Sequence, residues 1–181
     1  RSAVTNNEVL GSANDGGGFF QESAGSIVRL TDVELSDNKA GDEGGGFFSQ
    51  SDNAHVELTN VIIDGNFAED TGGGFINVSA HSTVTMNNVQ ISNNISNTEN
   101  GGGFRNIGPI TGHDVLISGN IAGLEDQTAN NDVNRVGGGF FNSGSTAVVD
   151  LTRVRIVDND AHGRGGGCCG PGRQLRQRRD D

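Results

Sequence analysis

Residues 42–51 read DEGGGFFSQS: three residues without side chains, then two of the bulkiest apolar ones. The run returns as DGGGFFQES from Asp15 and as RVGGGFFNSG from Arg135. The first glycine of each triplet stands at 16, 44, 72, 101, 137 and 165, in steps of 28, 28, 29, 36 and 28. Repetition at a fixed period marks a repeat architecture, in which each unit buries its apolar face only against its neighbours. The single long step holds LEDQTANNDVNRV, which predicts a polar loop inserted over 124–136.

A second signature keeps phase with the glycines. It is an aliphatic residue, two variable positions and an asparagine, usually followed two residues later by a small side chain. The copies are LSDNKA from Leu35, IDGNFA from Ile63, ISNNIS from Ile91, ISGNIA from Ile117 and IVDNDA from Ile156. VTNNEV from Val4 is a looser copy, so the chain starts in mid-repeat and reads as a piece of a longer protein.

Between the signatures apolar residues alternate with polar ones. Val28, Leu30, Val33 and Leu35 recur as Val56, Leu58, Val61 and Ile63, then as Val84, Met86, Val89 and Ile91. Alternation is the pattern of half-buried strands. Each unit then carries three short strands: one at GGGFF, one at the first Val-x-Leu and one at the second Val-x-Ile. The expected fold is all-β, a right-handed parallel β-helix (solenoid) of about six coils of roughly 28 residues, three short strands per coil. It should cover residues 1–169 and be followed by a disordered, Arg-rich tail over 170–181. A propeller blade needs about 40 residues and four strands. A sandwich has no reason to repeat one column every 28 positions.

Stacking makes columns. The first aromatic position is Phe19, Phe47, Phe75, Phe104 and Phe140 until Cys168 takes it, which predicts an inward aromatic column. The glycines before it should turn a corner where backbone meets backbone. Asn38, Asn66, Asn94, Asn120 and Asn159 should form a buried ladder whose amides satisfy stranded backbone groups. The position after the inward Phe holds Phe20, Phe48, Ile76, Arg105 and Phe141. Alternation and the Arg turn it outward, so Phe20, Phe48, Ile76 and Phe141 are the candidate contact strip for a protein or glycan at a surface, with cover by a neighbouring loop or by parts outside this segment as the equal alternative.

The paired signature resembles the repeats of the polymorphic outer membrane protein family, which set a Phe-x-x-Asn motif before a Gly-Gly-Ala-Ile-type motif. Here aliphatic residues replace that Phe and GGGF replaces GGAI, and the likeness runs over roughly residues 4–169. The resemblance implies a cell-surface or secreted passenger, in the cell outer membrane if bacterial, acting in adhesion or display. The membrane-anchoring barrel of that family has no counterpart among these residues.

Composition narrows the classes. A net charge of −11 disfavours nucleic acid as a partner, because phosphate binding needs clustered Lys and Arg. No apolar run reaches the roughly 20 residues of a membrane-spanning helix, so membrane insertion by this segment is not expected. Cys168 and Cys169 are adjacent and build no disulfide framework. Parallel β-helices also carry polysaccharide lyases and glycoside hydrolases, so part of such an enzyme, with its active site outside this segment, is the alternative. Within the segment GHD at 112–114 and Asp64 draw attention, yet each departs from its own column, and no catalytic residue is expected.

The turns before the triplets hold Asp15, Asp42 with Glu43, Glu69 with Asp70, and Glu99. Stacking sets these carboxylates side by side, which makes them candidate Ca²⁺ ligands. A solvated acidic edge without metal is the favoured expectation, and no cofactor is required. Asn77 and Asn94 sit in N-x-S sequons. The buried ladder claims Asn94, leaving Asn77 as the glycan acceptor in a eukaryotic secretory host.

Overall fold

The computed structural model describes residues 1–124 and 135–170, with Cys169 and residues 173–178 described as backbone. The chain is a parallel β-solenoid. Three sheets run its length, and every strand ladder among the described residues is parallel. Two of the sheets have six strands each. Successive coils stay in register, Phe47 beside Phe75 beside Phe104 and Ile63 beside Ile91 beside Ile117.

The three strands per coil differ in identity from the expected set. Val-x-Leu and Val-x-Ile form one bent strand of ten residues, as in His55–Asp64, Thr83–Ser92, Pro109–Ser118 and Val148–Val157. The bend falls at Asp32, Asn60, Asn88, Asp114 and Arg153, whose φ angles lie between 49° and 56°. Asn and Asp tolerate that left-handed conformation best after glycine. One extra residue at the bend explains why apolar side chains at 56, 58, 61 and 63 all face inward. The third strand is a pair of residues after each ladder asparagine, such as Phe67–Ala68 and Ile95–Ser96.

A second left-handed position accounts for a letter inside the Asn signature. Asp37, Gly65, Asn93, Gly119 and Asp158 precede the ladder asparagines and have φ of 54° to 64°. The corner there lets the following Asn side chain swing into the interior.

The core is narrow and columnar. Phe47, Phe75, Phe104 and Phe140 are buried and stack with ring centroids 4.6 to 4.8 Å apart. That spacing is the inter-strand distance itself, about 4.8 Å. Beside them run Leu58 and Met86, Val61, Val89 and Val115, and Ile63, Ile91 and Ile117. Gly112 stands in the Leu58–Met86–Leu151 column, and a Cβ there would strike Met86.

The triplets answer the question posed by DEGGGFFSQS. The first glycine has φ near 70° in all six copies. The second and third have ordinary φ but no room. A Cβ on Gly45 or Gly46 would come closer than 3.0 Å to the backbone oxygen of Gly73 or Gly74 in the next coil. Glycine thus serves conformation once and close approach twice, and the Phe beside it fills the interior.

The asparagine ladder is realised as expected. Asn66 Oδ1 accepts from the backbone N–H of Asn38 (3.0 Å) and from its Nδ2 (3.0 Å), while Asn66 Nδ2 donates to Leu35 O (2.9 Å) and to Asn94 Oδ1 (2.9 Å). Asn94 and Asn120 repeat the arrangement with Ile63 O and Ile91 O. Each asparagine therefore serves the carbonyl of the signature's aliphatic residue one coil earlier, which links the two fixed letters of the motif.

At the C-terminus, Arg173–Arg178 forms a strand that pairs with Val148–Val157, with a register shift between Val148 and Asp150. The backbone thus continues the ladder where a disordered tail was expected. Residues 125–134, most of the expected inserted loop, lie outside the described residues.

Candidate functional site

Two surfaces hold the residues singled out by the sequence. The first is the edge made by the GGGFF strands and the turns preceding them. Phe20 and Phe48 stack at 5.2 Å, and Ile76, Arg105 and Phe141 continue the column. The column does not form an open strip. Phe20 is 41% exposed, but Phe48 is 3% and Ile76 0%, while Phe141 is half-buried. Phe48 lies between Phe20 and Ile76 in the column, and the pre-triplet turn packs against Ile76. A Cβ on Gly44 would sit 3.1 Å from Ile76 Cγ2, so the glycine backbone rests on that side chain. Alternation assigned these residues correctly to the face away from the core, but column neighbours and the turn beside Ile76 cover Phe48 and Ile76 there.

The acidic residues of these turns are brought together in part. Asp15 Oδ1 accepts from the Glu43 N–H at 3.2 Å. Glu43 pairs with Arg105 across 3.2 Å. Glu69 accepts from Asn97 Nδ2 (2.7 Å), and Asp70 from Thr98 Oγ1 (2.8 Å). Glu99 is exposed on the neighbouring turn. Burial raises the Asp42 carboxyl above the ordinary carboxylate range, with Asp15 and Asp70 adding to it. Burial also pushes Glu43 up to about 7. Arg105 opposes that rise, and Asp15, Asp42 and Asp70 reinforce it. Among the described residues no three His, Cys, Asp or Glu side chains are grouped to hold a metal ion.

The second surface is a shallow trough of about 630 Å³ on the outer face of the bent strands before their corner. Two outward columns line it, Glu57, Thr85, Thr111 and Asp150, and Thr59, Asn87, His113 and Thr152. Glu57 is tied to Arg29 at 2.8 Å. At the corner ridge Asp114 pairs with Arg153 (2.6 Å) and with His113 Nδ1 (2.9 Å). The Arg153 and His113 contacts hold the Asp114 carboxyl well below the ordinary range. Asp64 lies beyond the corner, where it accepts from Ser92 Oγ (2.5 Å) and Asn93 Nδ2 (2.9 Å). His113 and Asp64 therefore do not share a site.

Two ladders escaped the sequence reading. Asn60 Nδ2 donates to Asp32 Oδ1 at 3.0 Å, and Asn88 Nδ2 to Asn60 Oδ1 at 2.9 Å, along the exposed ridge. The signal was present, since the residue before each second Val is Asp, Asn, Asn, Asp and Arg. Inside, Gln21, Ser49, Asn77, Asn106 and Asn142 form a second buried polar column, with Asn77 Nδ2 bonded to Asn106 Oδ1 at 3.0 Å. Asn77 is fully buried, which corrects its reading as a glycan acceptor: the folded chain does not present that amide. Alternation from the inward Phe over two residues would have placed it inside.

No protein-family model matches the chain, and neither does any curated protein or any solved structure.

Proposed function

We propose that this chain is a non-enzymatic β-solenoid segment of a cell-surface or secreted protein, a rod that displays or binds. The observation that supports this reading is where its polar side chains are spent. The ladder asparagines, the ridge of Asp32, Asn60 and Asn88, and the pairs Arg29–Glu57 and Asp114–Arg153 all join one coil to another. Such bonds stiffen a long repeat and leave a regular outer face. The resemblance to polymorphic outer membrane protein repeats supports the same reading, because both letters of its motif fall on coil-stacking residues. On that reading the segment is extracellular or at the cell surface, the outer membrane if the host is bacterial, with a protein or glycan as partner.

The trough lined by Thr, Asn, His and carboxylate side chains favours a second reading. In it the segment belongs to a β-helical polysaccharide lyase or glycoside hydrolase whose reacting groups lie outside these residues. Screening the full-length protein for glycan binding and for glycan cleavage separates the two. Adhesion without turnover supports the rod, and turnover overturns it.

A further inference from the structure

The trough before the corner is where this chain leaves its polar side chains unspent. On the ridge beside it Asn88 Nδ2 donates to Asn60 Oδ1 at 2.9 Å, and in the buried ladder each asparagine bonds to the next. Asn87 stands one residue before Asn88, with Thr59 and His113 as its column neighbours, yet it bonds to neither. Among the described residues the side chains of Thr59, Thr85 and Thr111 likewise have no partner. All four line the trough and are exposed or half-buried. The carboxylates of Glu57 and Asp150 close the two ends of the column that runs through Thr85 and Thr111. Among the described residues no Lys, Arg or aromatic side chain lines the trough, and its apolar residues Leu58 and Met86 are buried.

We propose that this trough binds a neutral, unbranched, extended glycan lying along the solenoid axis, one sugar to each coil from that of Glu57 to that of Asp150. The inference rests on the reading of the chain as a rod that binds, and narrows its partner to this class. Charge selects the ligand first: carboxylates at both ends and no lining cation repel phosphates and uronates. Chemistry selects it next, because hydroxyl and amide groups that both donate and accept match the hydroxyls of a sugar, and carboxylates accept from them strongly. Spacing selects it last. Coils rise by about 4.8 Å, close to the length of one pyranose ring in an extended chain, whereas an extended peptide advances by about 3.3 Å per residue and falls out of step. With no aromatic platform, each sugar is held by hydrogen bonds alone, so affinity is weak per ring and grows with chain length.

Amide NMR titration of the intact chain tests the trough, with cellotetraose, mannotetraose and xylotetraose as neutral probes and tetragalacturonate as the charged comparison. At least one neutral probe should shift Thr85, Asn87, Thr111 and His113, with a dissociation constant in the millimolar range or tighter. Its affinity should rise from the disaccharide to the tetrasaccharide and then level off, and it should not depend on salt. Thr85→Val with Asn87→Ala removes two of the hydrogen-bonding groups and should weaken binding about tenfold, with the circular dichroism spectrum unchanged. Ile62→Ala, on the outward column beyond the corner, should bind as the unmodified chain does. No binding by any neutral tetrasaccharide overturns the proposal. So do shifts confined to other surfaces, an affinity indifferent to length, a preference for tetragalacturonate, or a doubly substituted chain that binds undiminished, and each of these leaves the rod standing. Release of shorter sugars from a tetrasaccharide that shifts the trough amides supports the trough and overturns the rod.

Discussion

The rings of Phe47 and Phe75 lie 4.6 Å apart and 2° from parallel, although 28 residues separate them in the chain. Parallel pairing fixes that spacing, and neither ring touches water. Truncating Phe75 to Ala opens a void between Phe47 and Phe104 that the stacked backbone cannot close. The expected cost is about 3–5 kcal/mol. Urea unfolding of Phe75→Ala measures it, with Phe20→Ala at the exposed end of the neighbouring column as the mild comparison.

Asn66→Ala removes both an acceptor and a donor from the ladder. The Asn38 N–H and the Leu35 carbonyl lose their partners in a buried setting. At about 1–3 kcal/mol for each stranded group, a loss of roughly 2–6 kcal/mol is expected. Asn60→Ala, on the exposed ridge, exchanges its side-chain bonds for water but sets an alanine at φ of 54°, so it should cost about 1–2 kcal/mol, from backbone strain rather than stranded groups.

Glycine plays two roles, and substitution separates them. Gly25 has φ of 67° with nothing within 4 Å, so Gly25→Ala carries only conformational strain, about 1 kcal/mol. A Cβ on Gly73 would strike the backbone of Ile95 and Gly102. Gly73→Ala should therefore split the neighbouring coils or abolish folding, and thermal unfolding monitored by circular dichroism distinguishes the two variants.

Arg153 occupies the left-handed corner that Asn or Asp takes in the other coils, with φ of 49°. Its pair with Asp114 is exposed to solvent and weakened by salt. Arg153→Asn gives up the pair and relieves the strain. The expected result is a small change in Tm at low salt that turns stabilising at high salt, where the lost pair is screened.

Global stability should follow Glu43 as well. Its folded pKa lies above the ordinary 4.5, so the folded chain holds the proton more tightly than the unfolded one. The associated stability is fully present below about 4.5 and is lost as pH rises towards about 7. The Tm should fall by a few degrees between pH 5.5 and pH 7.5, and Glu43→Gln should flatten that slope.

Much of this architecture could be read from the sequence because a solenoid writes each structural column as a recurring letter. The inward Phe column and the ladder of Asn38, Asn66, Asn94 and Asn120 were legible for that reason. The corner at Asn60 and Asn88 was not used, although its letters recur too, and without it the two arms of one bent strand looked like two strands. The burial of Phe48 and Ile76 was left undecided for a different reason. Alternation reports which side of a strand a residue takes, not whether neighbouring residues and turns cover that side. The Glu43–Arg105 pair joins non-adjacent coils, and no periodic pattern signals such a contact.

The central claim is that like residues of successive coils lie directly against one another, and ring-proton nuclear Overhauser contacts among selectively labelled phenylalanines test it most directly. The account predicts contacts in chain order, Phe19 to Phe47, Phe47 to Phe75, Phe75 to Phe104 and Phe104 to Phe140, with none skipping a coil. Absence of a Phe47–Phe75 contact, or a contact between Phe47 and Phe140, would contradict it.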